Sequence, residues 1–547
     1  MEFSLTVCYR GVCVVDGGSV ISTPMIVMGA PRAADVGGRA QYAAAMAWEE
    51  SIDRRRFLKS VMAGAAVAGT SLAACSSPPT TRSSTKADIW QELERHLRGH
   101  LLRPGDPRYR TVARPYNARY ADVLPQGIAL CQGNSDVSLC IMWARAHHVP
   151  FAVRSGGHSY GGFSATTGLL ISLKAMHGVS LDAANGTATL QCGATNGQLV
   201  GLLPRYGLMV PNGRCPSVGI GGFMLGGGFG FSSRRLGLAV DKLVRTQMVT
   251  AEGKLVTVDA DTNSDLFWAL RGGGGGNFGV NVDYTVVTTP VGPLSVYKLR
   301  WAWDQAPAVM TAFDQLMAGA PDGLSARIGL DITGTRPPAK DPGALSMSAL
   351  GQWFGTPQEL EALLAPVMAA AAPTTKVIEA LPYEKALAFF AANVPTGSFT
   401  EKSAYIGPAG FDSSCVETAM TWVERWPGSS NSSAAGFTLF AWGGAMNRPA
   451  ATDTAFVHRD ASWLAVVGTS WTNRDSQELI GTNLSYVSDF YQALGPFVND
   501  QAYQNFIDPA LPSWSTAYYG QNLPRLIQVK QDWDPDNAFT FAQSIPE

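Results

Sequence analysis

Charge is scarce in this chain. Asp, Glu, Lys and Arg make up 15% of its 547 residues and nearly cancel, leaving a net charge of −2, a balance that gives no support for nucleic-acid binding, which needs a basic face. The eight cysteines, Cys8, Cys13, Cys75, Cys131, Cys140, Cys192, Cys215 and Cys415, show no zinc-like spacing, and no metal site is expected. No internal repeat is found, which sets aside a repeat architecture. The apolar stretch Ser60 to Ala74 is too short to cross a bilayer as a stable anchor. What is plentiful is glycine: 58 glycines and 46% apolar residues describe a globular protein rich in close turns, not a disordered or fibrous chain. The length exceeds one ordinary core, so two domains are expected.

The glycines cluster in two chemically loaded segments, Val153-Arg154-Ser155-Gly156-Gly157-His158-Ser159-Tyr160-Gly161-Gly162 and Gly213-Arg214-Cys215-Pro216-Ser217-Val218-Gly219-Ile220-Gly221-Gly222. The first follows the apolar Pro150-Phe151-Ala152-Val153 and reads as a strand entering a tight turn, whose backbone N–H groups could surround a pyrophosphate. Glycine allows the close approach and positive φ such a turn requires. Taken singly, each segment is weak evidence: a His beside a glycine turn is more often a surface or capping residue, and a lone Cys before Pro more often a small buried hydrophobe.

Together, and in order with Gly226-Gly227-Gly228-Phe229-Gly230, Arg235 to Asp241, Arg271 to Val280, Tyr518 to Leu526 and Asp534 to Phe539, they resemble the FAD-linked oxidases with a PCMH-type FAD-binding domain, the family of berberine-bridge-type enzymes and oligosaccharide oxidases. The resemblance runs from about Arg103 to Glu547 and rests on motif order. It implies FAD held by two covalent bonds, from His158 to the flavin 8α-methyl and from Cys215 to ring carbon 6. It also implies cofactor contacts from Arg154, Ser155, Gly156, Gly157, Ser159, Gly219, Gly221, Gly222, Gly226, Gly227, Val280, Tyr519 and Asn522. The implied fold class is α+β: a flavin domain, then an antiparallel sheet backed by helices that roofs the isoalloxazine. The C-terminal run is similar to a strand and helix that return to the flavin.

Ahead of this region, Arg54-Arg55-Arg56-Phe57-Leu58-Lys59 and the apolar small-residue stretch after it read as a twin-arginine signal, a route that exports folded proteins. Leu72-Ala73-Ala74-Cys75 resembles a lipoprotein cleavage box, which would make Cys75 a lipid anchor and the sole link to a membrane; a plain cleavable signal is the alternative. Ser76 to Thr85 has the composition of a tether. Residues 1–53 fit none of this, and Met46 is a candidate true start. The expected divisions are 1–53 leader, 54–75 signal, 76–87 tether, 88–290 FAD-binding domain, 291–500 substrate domain and 501–547 return to the FAD domain.

Within these, Ile89 to Leu102 has helical spacing and stops at Arg103-Pro104-Gly105, and Asp136 to Ala146 reads as a helix feeding the strand before His158. Cys131 and Cys140 are a candidate disulfide, with buried free thiols the alternative. Eight of fourteen tryptophans fall in the substrate domain, either as core or as a face for stacking sugar rings or planar natural products.

The chemistry the family implies is hydride transfer from a small-molecule carbohydrate or hydroxylated secondary metabolite to FAD, with oxygen as acceptor giving hydrogen peroxide. A proton acceptor is needed. Related sugar and alcohol oxidases use a tyrosine in an Asn-Tyr-x-Asp segment, where this chain has Asn505-Phe506-Ile507-Asp508. Phe506 cannot take a proton, so Tyr503, Tyr405, Tyr160 and Asp508 stand as candidates, each with a structural role as the plainer reading. His458-Arg459 either orients an anionic or hydroxylated substrate or forms a surface or interdomain ion pair. A dehydrogenase with another electron acceptor shares every flavin motif, and a ligand-binding lipoprotein with an impaired site is the reading that Phe506 alone would favour.

Overall fold

The structure, a computed structural model, describes residues 86–391 and 394–547, and a separate short hairpin in which Val7–Tyr9 pairs antiparallel with Val12–Val14. The arginine cluster, the apolar stretch after it, Cys75, Met46 and the tether as far as Thr85 lie outside the described residues.

The leading helix is shorter than its apolar spacing predicts. It spans Lys86–His96 and is followed by a strand, His100–Leu102. Asp136 ends the helix by accepting the amides of Arg98 at 2.9 Å and Gly99 at 3.0 Å. Gly99 crosses so close to the Leu130 carbonyl that no Cβ fits. Leu101 and Leu102 are therefore buried as strand residues.

That strand edges a four-stranded sheet in which Gly127–Leu130, Leu169–Ser172 and Phe151–Arg154 run parallel. Helix Asn134–Ala146 buries Val137, Cys140, Ile141, Trp143 and Ala144 and packs between this sheet and a second, five-stranded antiparallel one. Phe151–Arg154 therefore ends at a fixed place, and the turn after it carries His158. Cys131 and Cys140 are neighbouring buried thiols joined by a hydrogen bond, and no disulfide forms between them.

The third sheet has seven antiparallel strands in the order Thr375–Ala380, Ser295–Trp301, Leu345–Trp353, Arg327–Ile332, Asn431–Ala441, Trp463–Trp471 and Ser398–Ile406. Alternate residues such as Leu299, Ile328, Leu330, Leu439 and Ala465 form one core with helices Ala306–Gly319, Pro357–Ala370, Ser413–Glu424 and Gln477–Ala493. Fully burying each large apolar side chain contributes roughly 1.5–3 kcal/mol. Trp301, Trp426 and Trp463 belong to this packing, Trp442 is buried in a second cluster with Phe440, Phe456 and Tyr503, and among the described residues no tryptophan lines the cleft described below.

The last segment returns to the first domain as two helices, Trp514–Tyr519 and Leu523–Trp533, with no strand among its described residues. Lys530, fully buried, donates to the carbonyls of Asn277 (2.9 Å) and Phe539 (2.8 Å) and to Asp534 (2.6 Å). The Ile545 amide donates to Asn277 Oδ1 at 2.9 Å.

Candidate active site

The two glycine segments meet backbone to backbone. A Cβ on Gly156 would collide with the amide nitrogen of Gly219, and one on Gly219 with Gly156, so only glycine fits at either place. Ser155 ties the loops further, donating from Oγ to the Cys192 carbonyl at 2.5 Å and accepting from the Gly221 amide at 3.3 Å. His158 follows Gly157, whose φ is +78°. Its Nε2 lies 2.9 Å from Ser217 Oγ, two residues past Cys215, and its ring stacks on Tyr116 at 3.7 Å and 20°. Burial lowers its pKa to about 4, so the imidazole is neutral at neutral pH. Burial pushes the Cys215 thiol up, opposed by the neighbouring Arg214.

His158 and Cys215 line one deep cleft containing about 2100 Å³ of atom-free space, its open mouth included. Ser155, Gly156, Gly157, Ser159, Gly219, Gly221, Gly222, Val280 and Tyr519 share the wall; the large sheet contributes Phe440 and Ala441, the approach to its Arg327–Ile332 strand Ser325 and Ala326, and the C-terminal segment Tyr503 to Ile507. The wall fits a flavin dinucleotide. Among the described residues none accepts from the amides of Gly157, His158 or Ser159, a set of donors suited to phosphate oxygens. Buried side-chain oxygens of Asn196, Asn281 and Gln543 in the same wall also lack partners, and a buried polar atom left unpaired implies a ligand or water.

Four residues expected to touch the cofactor do something else. Arg154 donates to the carbonyls of Ser164 (2.9 Å), Val112 (3.0 Å) and Ala113 (2.7 Å), bracing the strand from behind. Gly226 makes room for Asn505 and Gly227 for Phe456. Asn522 donates to the carbonyls of Ala451 (2.7 Å) and Thr454 (3.1 Å). These positions hold the shape of the loops and stand outside the cleft wall.

The proposed bases divide likewise. Tyr405 is buried against His458, ring centroids 4.4 Å apart, and Asp508 is paired with Lys402; both are off the cleft wall. Tyr503 lines the cleft, but its hydroxyl accepts from the Gly228 amide (3.1 Å) and Asn505 Nδ2 (3.0 Å), and burial raises its pKa to about 12. Arg459 forms a buried pair with Asp241 at 2.7 Å, the interdomain reading of that motif. Phe506 lies parallel to Tyr160 at 5.1 Å and 3°.

Sequence reasoning missed Glu401. It sits on strand Ser398–Ile406, 8% exposed, its side chain laid over Gly468. Its carboxyl accepts a hydrogen bond from Tyr160, which lines the cleft; burial raises its pKa to about 7, with Arg214, Tyr160 and Arg327 holding it back. A buried carboxyl titrating near neutrality beside a cleft tyrosine has the properties of a general base. The one signal in the sequence was an acid placed on the same strand face as Phe399, Ser403 and Tyr405.

Comparison with known proteins gives the family and the cofactor. Residues 125–259 match the FAD binding domain family and residues 502–546 the berberine and berberine-like family. An uncharacterized FAD-linked oxidoreductase of Bacillus subtilis, YvdP, is 34% identical over 455 residues, 82% of this chain and 98% of the relative. Among solved structures, the wild-type BBE-like 1 protein of Physcomitrella patens superposes with a TM-score of 0.75 at 29% identity over 84% of this chain and 99% of that one. A chitooligosaccharide oxidase does so with a TM-score of 0.72 at 25% identity over 84% and 99%. The α+β fold, the FAD-binding cleft and these relatives agree: the chain belongs to the berberine-bridge-enzyme-like family of FAD-linked oxidoreductases and acts on a small-molecule substrate.

Proposed function

We propose that this enzyme is an oxidase of carbohydrates or hydroxylated secondary metabolites, with FAD attached at both His158 and Cys215, and that Tyr160 and Glu401 together remove the substrate proton. The observation that carries this reading is the placement of the buried Glu401 carboxyl against Tyr160 in the cleft wall, with burial pushing that carboxyl up to about 7. FAD supplies the hydride acceptor. Burial pushes the Tyr160 phenol well above its ordinary pKa, so it acts as a relay and not as the base: Oη takes the proton of the substrate hydroxyl as it passes its own to the Glu401 carboxylate, and Phe506 needs no proton chemistry. The parallel Phe506 ring keeps Tyr160 in place and water out.

The neutral imidazole of His158, with Nε2 engaged by Ser217, leaves Nδ1 for the flavin methyl, and Cys215 enters the same cleft. The carbohydrate class draws support from the likeness to a chitooligosaccharide oxidase, and oxygen as acceptor from the same source. The arginine cluster at Arg54 and the Leu72–Cys75 segment support export by the twin-arginine route with a lipid on Cys75, which mass spectrometry of the mature N-terminus would test.

The decisive experiment is anaerobic bleaching of flavin absorbance by a panel of sugars, alcohols and amines, followed by air. Bleaching that air reverses is expected. Bleaching that only an added quinone reverses would make the enzyme a dehydrogenase.

A further inference from the structure

Two tyrosines that the reaction above does not use stand behind the two attachment residues. Tyr116 is off the cleft wall and is fixed at three points. Its amide donates to the Gly157 carbonyl at 3.0 Å, its hydroxyl donates to the Pro395 carbonyl at 2.5 Å, and its ring meets that of Phe399 edge-on at 6.2 Å and 71°. On this ring lies the His158 imidazole, centroids 3.7 Å apart, with Nε2 held 2.9 Å from Ser217 Oγ. A flat ring gripped on one face and at one nitrogen keeps one orientation. With Nε2–H donating to Ser217, Nδ1 presents its lone pair.

Tyr383 opens the helix Tyr383–Phe390 and is 6% exposed. Its hydroxyl donates to Asn212 Oδ1 and lies 3.4 Å from Ser232 Oγ. Asn212 stands three residues before Cys215, and its own side-chain amide donates to the Gly213 carbonyl at 3.1 Å. Beside this turn is a chamber containing about 270 Å³ of atom-free space, its mouth included, bounded by Val200, Phe231 and Leu387 and sharing Gly213 and Arg214 with the cleft. The turn that leads to Cys215 therefore has empty space next to it, and the Tyr383–Asn212 bond holds it where packing does not.

We propose that Tyr116 and Tyr383 are positioning residues for flavin attachment, Tyr116 aiming His158 at the 8α-methyl and Tyr383, through Asn212, holding the turn that aims Cys215 at ring carbon 6. This rests on the two-link reading and divides it into two separately supported events. Each event joins a side chain to a flavin carbon. The hydrogens lost by the side chain and by that carbon pass with two electrons to the flavin ring, and oxygen then removes them as hydrogen peroxide. Held geometry takes the place of a chance encounter, so loss of either support slows its own link and spares the other.

The test uses full chains purified at intervals after induction, with melting temperature checked first. Flavin-bearing peptides are then sorted by mass spectrometry into His158 alone, Cys215 alone, and the two joined through one flavin. In wild type the joined pair should dominate. Tyr116→Leu, which removes the stack, should slow the His158 link about ten-fold and leave flavin on Cys215 alone, whereas Tyr116→Phe keeps the stack and should restore most of the joined pair. Tyr383→Phe, which loses only a hydroxyl, should do the reverse, slowing the Cys215 link about ten-fold and leaving flavin on His158 alone. Variants that melt as wild type does and lose both links equally, or neither, would overturn the assignment while leaving the two-link reading intact. Wild type that carries no link, or only one, would overturn the two-link reading and the assignment with it.

Discussion

Glu401→Gln tests the proton acceptor through two readouts that move in opposite directions. Gln keeps the size of the side chain and can still hydrogen bond Tyr160, so folding and flavin content should persist, but it cannot take a proton. A positioned general base contributes roughly 10²–10⁴-fold, or about 2.7–5.5 kcal/mol of barrier. The kcat of the variant should fall within that range. Because burial holds the wild-type carboxyl at about 7, wild-type kcat should rise with pH through that value and then level, and the variant should lose this limb. Stability behaves in the reverse sense. The folded carboxyl binds its proton more tightly than the unfolded chain does at its ordinary 4.5, so its stabilising contribution is complete below 4.5 and lost as pH rises through about 7. An ionised Glu401 then costs on the order of 3 kcal/mol. The variant should melt above wild type at about pH 8 and alongside it at about pH 4. Stopped-flow flavin reduction and melting curves across this range check both. A variant that keeps wild-type kcat and the same limb would refute the assignment.

Three further outcomes follow from the geometry. On the proposed attachment at both residues, acid-precipitated wild type should stay yellow, as should His158→Ala and Cys215→Ala singly, each retaining one link; the double variant should give a colourless pellet. Gly156→Ala should fold poorly or lose flavin, since its new methyl strikes the Gly219 backbone, and absorbance per protein in the purified variant reads this directly. Lys530→Met leaves the buried Asp534 carboxyl without its counter-ion, held only by the amides of Ala538 and Phe539, which should cost about 3–5 kcal/mol, visible as a lowered denaturation midpoint.

The flavin side of the site was legible because its chemistry lies in unbroken glycine-rich runs, where a residue and its local backbone geometry are read together. Membership of such a run does not fix the direction of a side chain, which is why Arg154 and Asn522 were expected at the cofactor and instead bind carbonyls behind it. Glu401 was illegible for the opposite reason. Its character comes from burial against Tyr160, 241 positions earlier, in a strand whose own pattern calls for packing. Helical spacing overran at Leu101 and Leu102 for a similar cause: a period of leucines cannot register that Asp136, far along the chain, captures the amides at Arg98 and Gly99.

The clamp around Lys530 bears on timing during synthesis. The loop ending at Asn277 is held by Lys530, whose other partners are Asp534 and Phe539, and by the amide of Ile545. These partners are made some 253 and 268 positions after the loop they secure. A nascent chain still on the ribosome therefore has a cleft with one wall unpinned, however well its first sheets have formed. Stable capture of the flavin must wait for release of the finished polypeptide, and premature termination anywhere before Lys530 should yield colourless protein.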